Sequence, residues 1–165
     1  MTIMNNKYDP IMQKINYFCI IGEPVLLQAD DIRRFEKAIG FILPVDYKTF
    51  LAKYGFTAGR GDTRFGNLDN PTQEESSVDV FYGLKADDSY DLLGVRESFG
   101  DILPAHFLPI ATSPGGQIVL CLSGDDQGRV YWWPPHRGSP DPYDDLELIA
   151  YNFDTFVRSL RTREE

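Results

Sequence analysis

The sequence predicts an α+β fold in one domain, a mainly antiparallel β-sheet flanked by α-helices. Two helical stripes in the first third, a β-rich second half closed by a further helix, and the lack of a regular βαβ alternation favour this class over a doubly wound one. With 165 residues, 42% hydrophobic and 13% aromatic, the chain can bury a core that needs neither disulfide nor metal.

The elements follow in order. Tyr8, Ile11, Met12, Ile15, Phe18 and Cys19 recur near helical spacing and predict a leading helix over 8–19. Residues 22–30 read as an extended connector. Ile32, Phe35 and Ile39 line one helical face, with Asp30 or Asp31 as the N-cap acceptor and Gly40 as terminator. Beyond the Leu43-Pro44 corner, Tyr47, Phe50, Leu51 and Tyr54 form the stripe of a second helix. Pro44 suits its first turn, where a missing N–H leaves no intrahelical bond unmade, and Gly55 is expected to supply a left-handed exit.

The stretch 55–77 is rich in Gly, Asn, Asp, Ser and Pro and predicts a long loop with a short strand near Thr63 to Phe65. Its Arg60-Gly61-Asp62 triplet means nothing without an extracellular loop context. Alternation over 78–84 predicts a strand, and Leu92, Val95, Arg96 and Phe99 predict a helix over 86–100 with Asp87 or Asp88 near its start. From Phe107 the pattern is β. A strand over 107–113 turns at Pro114-Gly115-Gly116, and two further strands flank a five-residue hairpin loop, Gly124 to Gly128. Residues Ile118 to Leu122 are apolar at every position, so that strand should be covered on both faces or lie centrally. Trp132 and Trp133 point to opposite faces. A Pro-rich acidic loop over 135–145, in which His136 reads as exposed, leads to a last strand and a closing helix that buries Phe153, Phe156, Val157 and Leu160.

Charge narrows the partners. Residues 67–147 hold fifteen Asp/Glu against four Lys/Arg, a net of −11, while the other 84 residues hold ten against twelve, a net of +2. Such a back half argues against nucleic acid as partner, since binding its backbone needs basic groups that displace counterions, and it suits a basic protein. Cys19 and Cys121 lie far apart with no Cys-x-x-Cys and read as small buried hydrophobes. The N-terminus has no basic flank leading into an apolar core, and no run reaches membrane-spanning length; the expected location is the cytoplasm, with no membrane partner.

Chemistry is not foreshadowed. Only His106 and His136 are present, neither beside a Cys, and there is no Gly-x-Ser-x-Gly elbow or His-Glu-x-x-His. The Asp125 loop lacks calcium-loop spacing and its closing Glu. No catalytic residue, cofactor or metal is therefore expected. The surface argument is stronger: acidic doublets interleaved with aromatic side chains fit a protein-binding face, and Asp87, Asp88, Tyr90, Asp91, Asp125, Asp126, Trp132, Asp144 and Asp145 are its candidate residues. Tyr82, Trp133 and Tyr143 belong to the same acidic stretch.

The segments FEKAIGFILPVDYKTFLAKYG, VFYGL, LPIATSPGGQIVLCLSGDDQGRVYWW and IAYNFDTFVRSL, in this order and spacing, resemble the SUKH superfamily, also called the Smi/Knr family. The resemblance spans 29–160, leaving 1–28 as an N-terminal helix and connector. Two departures concern turns: Tyr54-Gly55-Phe56 stands where Asn-Gly-Gly is frequent, and Gly116-Gln117 where Gly-Asn is. The resemblance implies a non-catalytic immunity protein that binds and neutralises a cognate bacterial toxin, such as a nuclease. The alternative it implies is an intracellular regulatory scaffold of the Smi/Knr type.

Overall fold

A computed structural model describes residues 5–69, 71–72, 75–135 and 140–162. Helix α1, Asp9–Lys14, opens with Pro10 in its first turn. It is shorter than the predicted 8–19 because Asn16 turns the chain at φ 54, in the left-handed region that Asn tolerates. Strand β1, Tyr17–Cys19, follows, pairing antiparallel with β2, Thr57–Gly59. Neither strand was predicted.

Helix α2, Ala29–Ile39, buries Ile32, Phe35 and Ile39 as expected and ends at Gly40 with φ 80. Its N-cap is Gln28, and Asp31 accepts the Gln28 N–H at 2.8 Å from three positions inside the helix, so Asp31 caps in the reverse direction to the one predicted. Helix α3, Val45–Tyr54, has Pro44 at its N-cap and buries Tyr47, Phe50, Leu51 and Tyr54. Gly55 does not make the left-handed exit. It is extended, at φ −63 and ψ 150, and Phe56 takes φ 59 instead. The glycine is needed for a different reason: a Cβ on Gly55 would lie 2.8 Å from the Gly83 Cα.

Strand β3, Thr63–Phe65, confirms the short strand expected in the long loop. It sits between β4, Ser76–Ser77, and β9, Arg161–Thr162, in a three-stranded sheet. Helix α4 runs only from Leu92 to Ser98. Strands β5, Phe107–Ser113; β6, Gly116–Cys121; β7, Val130–Trp133; and β8, Glu147–Ala150 form an antiparallel meander in sequential order. A 3-10 turn, Pro142–Asp145, lies between β7 and β8, and helix α5, Phe153–Ser159, follows. His136 lies outside the described residues.

The predicted strand over 78–84 is reduced to single bridges. Phe81 pairs with Thr57 of β2 on one side and Ala111 of β5 on the other, joining the β1–β2 ribbon to the meander. Hydrogen bonds from Tyr82 N–H to Ile110 and from Thr112 N–H to Val80 continue that edge. The alternation was real, but Gly83 bends toward Gly55 and packs against the Phe56 ring, which ends regular pairing.

The meander is covered on both faces, which explains the unbroken apolar run of β6. Ile118 and Leu120 face a core built with Tyr8, Met12, Phe35, Phe50, Phe153 and Phe156, so α1 belongs to the same core as α3 and α5. Val119 and Cys121 face a second cluster with Leu103, Phe107, Tyr131, Trp133 and Leu148, closed by Phe99 and Leu146. Phe50 anchors the main core, its ring 4.8 Å from Phe81, 5.1 Å from Phe153 and 5.7 Å from Tyr8. Buried rings in such arrangements add about 0.5–1.5 kcal/mol per pair beyond the area they remove from water.

Candidate protein-binding surface

The β6–β7 hairpin sets one end of the meander. Phe107 pairs with Cys121, and Val130 with Ala150, so the start of β5 and the end of β8 lie at this same end. Asp125 and Asp126 occupy the hairpin loop between Gly124 and Gly128, whose φ values of 88 and 92 only glycine adopts without strain. Both carboxylates are exposed. Asp126 meets Arg129 at 3.1 Å, and the Arg129 guanidinium lies over the Tyr151 ring at 5.4 Å.

The 3-10 turn brings Tyr143 to this end. Asp141 accepts the Tyr143 N–H at 3.0 Å, which aims Tyr143 at the start of β5. Its ring meets Phe107 edge-on at 5.6 Å, and its hydroxyl lies 3.2 Å from His106 Nε2. Asp144 and Asp145 follow in the same turn. Phe107 in turn packs on Tyr131 at 5.9 Å. Burial and the Asp126 charge push the Tyr131 hydroxyl above its ordinary range, so it stays protonated beside Arg129. A continuous run of contacts therefore connects Tyr151, Arg129, Tyr131, Phe107 and Tyr143. The two outer tyrosines are 60% and 51% exposed; Asp126 reaches the Tyr151 side through Arg129, and Asp144 and Asp145 follow Tyr143 along the chain toward the start of β8. Rigid aromatic rings with few rotatable bonds, framed by one sign of charge, provide contact area at low entropic cost.

The other predicted residues lie elsewhere. Asp91 is only 8% exposed. One oxygen accepts the Lys85 N–H at 2.7 Å and the other the Gly94 N–H at 3.1 Å, making Asp91, and not Asp87 or Asp88, the cap that starts α4. Asp88 accepts the Tyr90 N–H at 2.8 Å, and the Tyr90 ring stacks on Tyr82 at 6.2 Å. Leu84, Lys85 and Asp91 line a cleft with Asp31, Arg34 and Phe35, so this loop packs toward α2. Trp132 is half-buried on the helical face of the sheet; its Nε1 donates to Ser113 Oγ at 3.2 Å, and its indole fills the space where a Cβ on Gly116 would lie. Trp133, on the opposite face, is buried against Phe99.

Sequence reasoning missed Tyr151, His106 and Arg129. Tyr151 falls between the alternation of β8 and the stripe of α5, belonging to neither period, and that misfit was the signal available. Among the described residues, no group of three or more His, Cys, Asp and Glu side chains could hold a metal ion, and no helix is long and apolar enough to cross a membrane. Cys19 and Cys121 are free thiols.

The chain is an α+β domain in which exposed aromatic side chains and an acidic hairpin share one end of an antiparallel meander. The chain belongs to the SMI1 / KNR4 family (SUKH-1), whose pattern it matches over residues 26–159. It is 31% identical over 169 residues to the SPbeta prophage-derived uncharacterized protein YokK of Bacillus subtilis (strain 168), the match covering 93% of this chain and 85% of that one. Proteins of this family are of the immunity or Smi/Knr type and are generally non-catalytic.

Proposed function

We propose that this protein is a cytoplasmic, non-catalytic immunity protein that binds a basic cognate toxin through the hairpin-end surface and blocks the toxin's active site or substrate groove. The observation that carries this reading is the run of contacts that brings the exposed Tyr143 and Tyr151 to the end of the meander where the Asp125-Asp126 hairpin lies, with Asp144 and Asp145 next to Tyr143 in the chain. A nuclease toxin holds phosphates with Lys and Arg; carboxylates set at that surface compete for the same groups and steer association. Family membership supports the same class of function. The family also includes the Smi/Knr type, and regulatory scaffolding of an endogenous protein is the second reading.

The test is co-expression with the product of the neighbouring gene. Rescue of growth by the parent chain, lost when Asp125, Asp126, Asp144 and Asp145 are all replaced by Lys in a variant that still folds, is the expected result. Full rescue by that variant would refute the assigned surface, and no toxicity from the neighbour would favour the scaffold reading.

A further inference from the structure

A second surface of opposite character lies between α2 and α3. Helix α2 ends at Gly40, and the connector to Pro44 passes over a groove of about 820 Å³. Leu27, Ile32, Phe41, Ile42 and Ala52 give it an apolar lining. Ile42 of the connector is 67% exposed and Val45, at the start of α3 beyond the groove lining, 76%, the two most exposed large apolar side chains among the described residues. Exposed apolar surface of this kind costs solubility and marks sites of association.

The rim is basic in a chain whose net charge is −9. Arg33, Lys37 and Lys48 line the groove against one carboxylate, Glu36. Glu36 is itself spent on the Leu43 N–H at 2.7 Å and on Lys48 at 3.2 Å, and Arg33 pairs with Asp30. Lys37, in the last turn of α2, makes no ion pair among the described residues and lines the groove. A segment with an apolar face and carboxylates on its flanks matches both features. Two helices side by side leave a channel that accepts the i, i+3, i+4, i+7 row of a third helix.

We infer that the α2–α3 groove is a docking site for an acidic amphipathic helix of a partner protein, separate from the hairpin-end surface and independent of the toxin-binding reading. Phe41, Ile42 and Ala52 receive the apolar row, and Lys37 pairs with a flanking carboxylate.

The experiment titrates the isotopically labelled full chain with two synthetic helical peptides. One carries Leu at i, i+3, i+4 and i+7 with Glu on both flanks; the other has Lys in place of each Glu. The acidic peptide should saturate with a Kd of about 10–100 μM and shift amides confined to residues 27–52, while the basic peptide should not bind. Lys37→Glu should weaken the acidic peptide roughly tenfold, and Ile42→Asp should abolish its binding; both sites are exposed, and unchanged thermal melts verify that the variants fold. The inference is overturned by no saturation up to about 1 mM acidic peptide, by shifts centred elsewhere, or by equal binding of both peptides. It is equally overturned if sedimentation shows a dimer that Ile42→Asp converts to a monomer, since a second copy of this chain would then fill the groove.

Discussion

The carboxylate of Glu36 on α2 accepts the backbone N–H of Leu43 at 2.7 Å, seven residues further on and inside the protein. The bond pins the connector so that Pro44 stands where α3 begins, and Lys48 approaches the same oxygen at 3.2 Å. Removing the acceptor leaves a buried N–H without a partner. Glu36→Ala should therefore lower stability by about 2–3 kcal/mol, and Glu36→Gln, which can still accept, by clearly less. Lys48→Met should cost about 1–2 kcal/mol, because it leaves the buried Glu36 carboxylate without its cation although the Leu43 N–H still reaches it. Urea unfolding of the three variants checks the order.

Acid stability should depend on the contacts of α1 and α5. Burial acts to raise the Asp9 carboxyl, but hydrogen bonds from Tyr54, from Lys53 at 2.9 Å and from the Asn6 N–H at 3.0 Å hold it below the ordinary carboxylate range. Asp154 is held down in the same way, burial being outweighed by Arg158 and Tyr8, each at 3.0 Å. A folded value below the unfolded one stabilises the fold above about pH 4, and that contribution is lost as pH falls through the depressed folded values. Asp9→Asn and Asp154→Asn should each lower Tm by about 2–4 °C at pH 7. The difference from the parent should shrink below about pH 4; a difference constant with pH would contradict the assignment.

Asp91 and the Asp125-Asp126 doublet should separate stability from association. Asp91→Ala removes the acceptor of two backbone N–H groups and should cost about 1–2 kcal/mol without changing the salt dependence of partner binding. Charge reversal at Asp125 and Asp126 should do the opposite, leaving unfolding within about 0.5 kcal/mol of the parent while slowing association and flattening its salt slope. Stopped-flow association at several ionic strengths distinguishes the two.

Tyr143→Ala and Tyr151→Ala should each weaken a cognate complex by about tenfold or more, mainly through faster dissociation. Tyr90→Ala, whose ring stacks on Tyr82 outside that run of contacts, should change dissociation little. Surface plasmon resonance with the neighbouring gene's product, inactivated at its own active site, reads both rates.

Gly83 is fixed by a close approach. A Cβ there would lie 2.5 Å from the Phe56 ring, and Phe56 is already held at φ 59. Gly83→Ala should destabilise by about 2–3 kcal/mol, whereas Gly66→Ala, with open space around the new Cβ, should not. Thermal melts of the pair give the contrast.

The sequence was most legible where one period runs long enough to repeat. Ile32, Phe35 and Ile39, then Tyr47, Phe50, Leu51 and Tyr54, marked two helices by their spacing, and the apolar run of β6 marked a strand covered on both faces. Strands β1, β2 and β9 left no such trace: each has two or three residues and owes its conformation to a partner that is distant in sequence. The start of α4 was misplaced because Asp87, Asp88 and Asp91 are equally good caps by residue type, and only the fold aims Asp91 at Gly94. For the surface, acidic loops could be recognised by composition. Which of them meet depended on the sheet register, and this joined the hairpin to the 3-10 turn and sent the Asp87 to Asp91 loop toward α2.

Phe81 gives the sheet a seam. The β1–β2 ribbon meets this segment at the single bridge from Phe81 to Thr57, while on the other side Phe81 pairs with Ala111 and Val80 and Tyr82 bond to the meander beside it, the Phe81 ring being pressed on Phe50. A sheet stitched so narrowly can part there without unravelling either side: the amides of Tyr17 to Cys19 would then exchange with solvent through a smaller opening than those of Ile118 to Leu120. The meander that carries Tyr143, Tyr151 and the acidic hairpin would keep its shape through such breathing, leaving the binding end stiff while the far ribbon flexes.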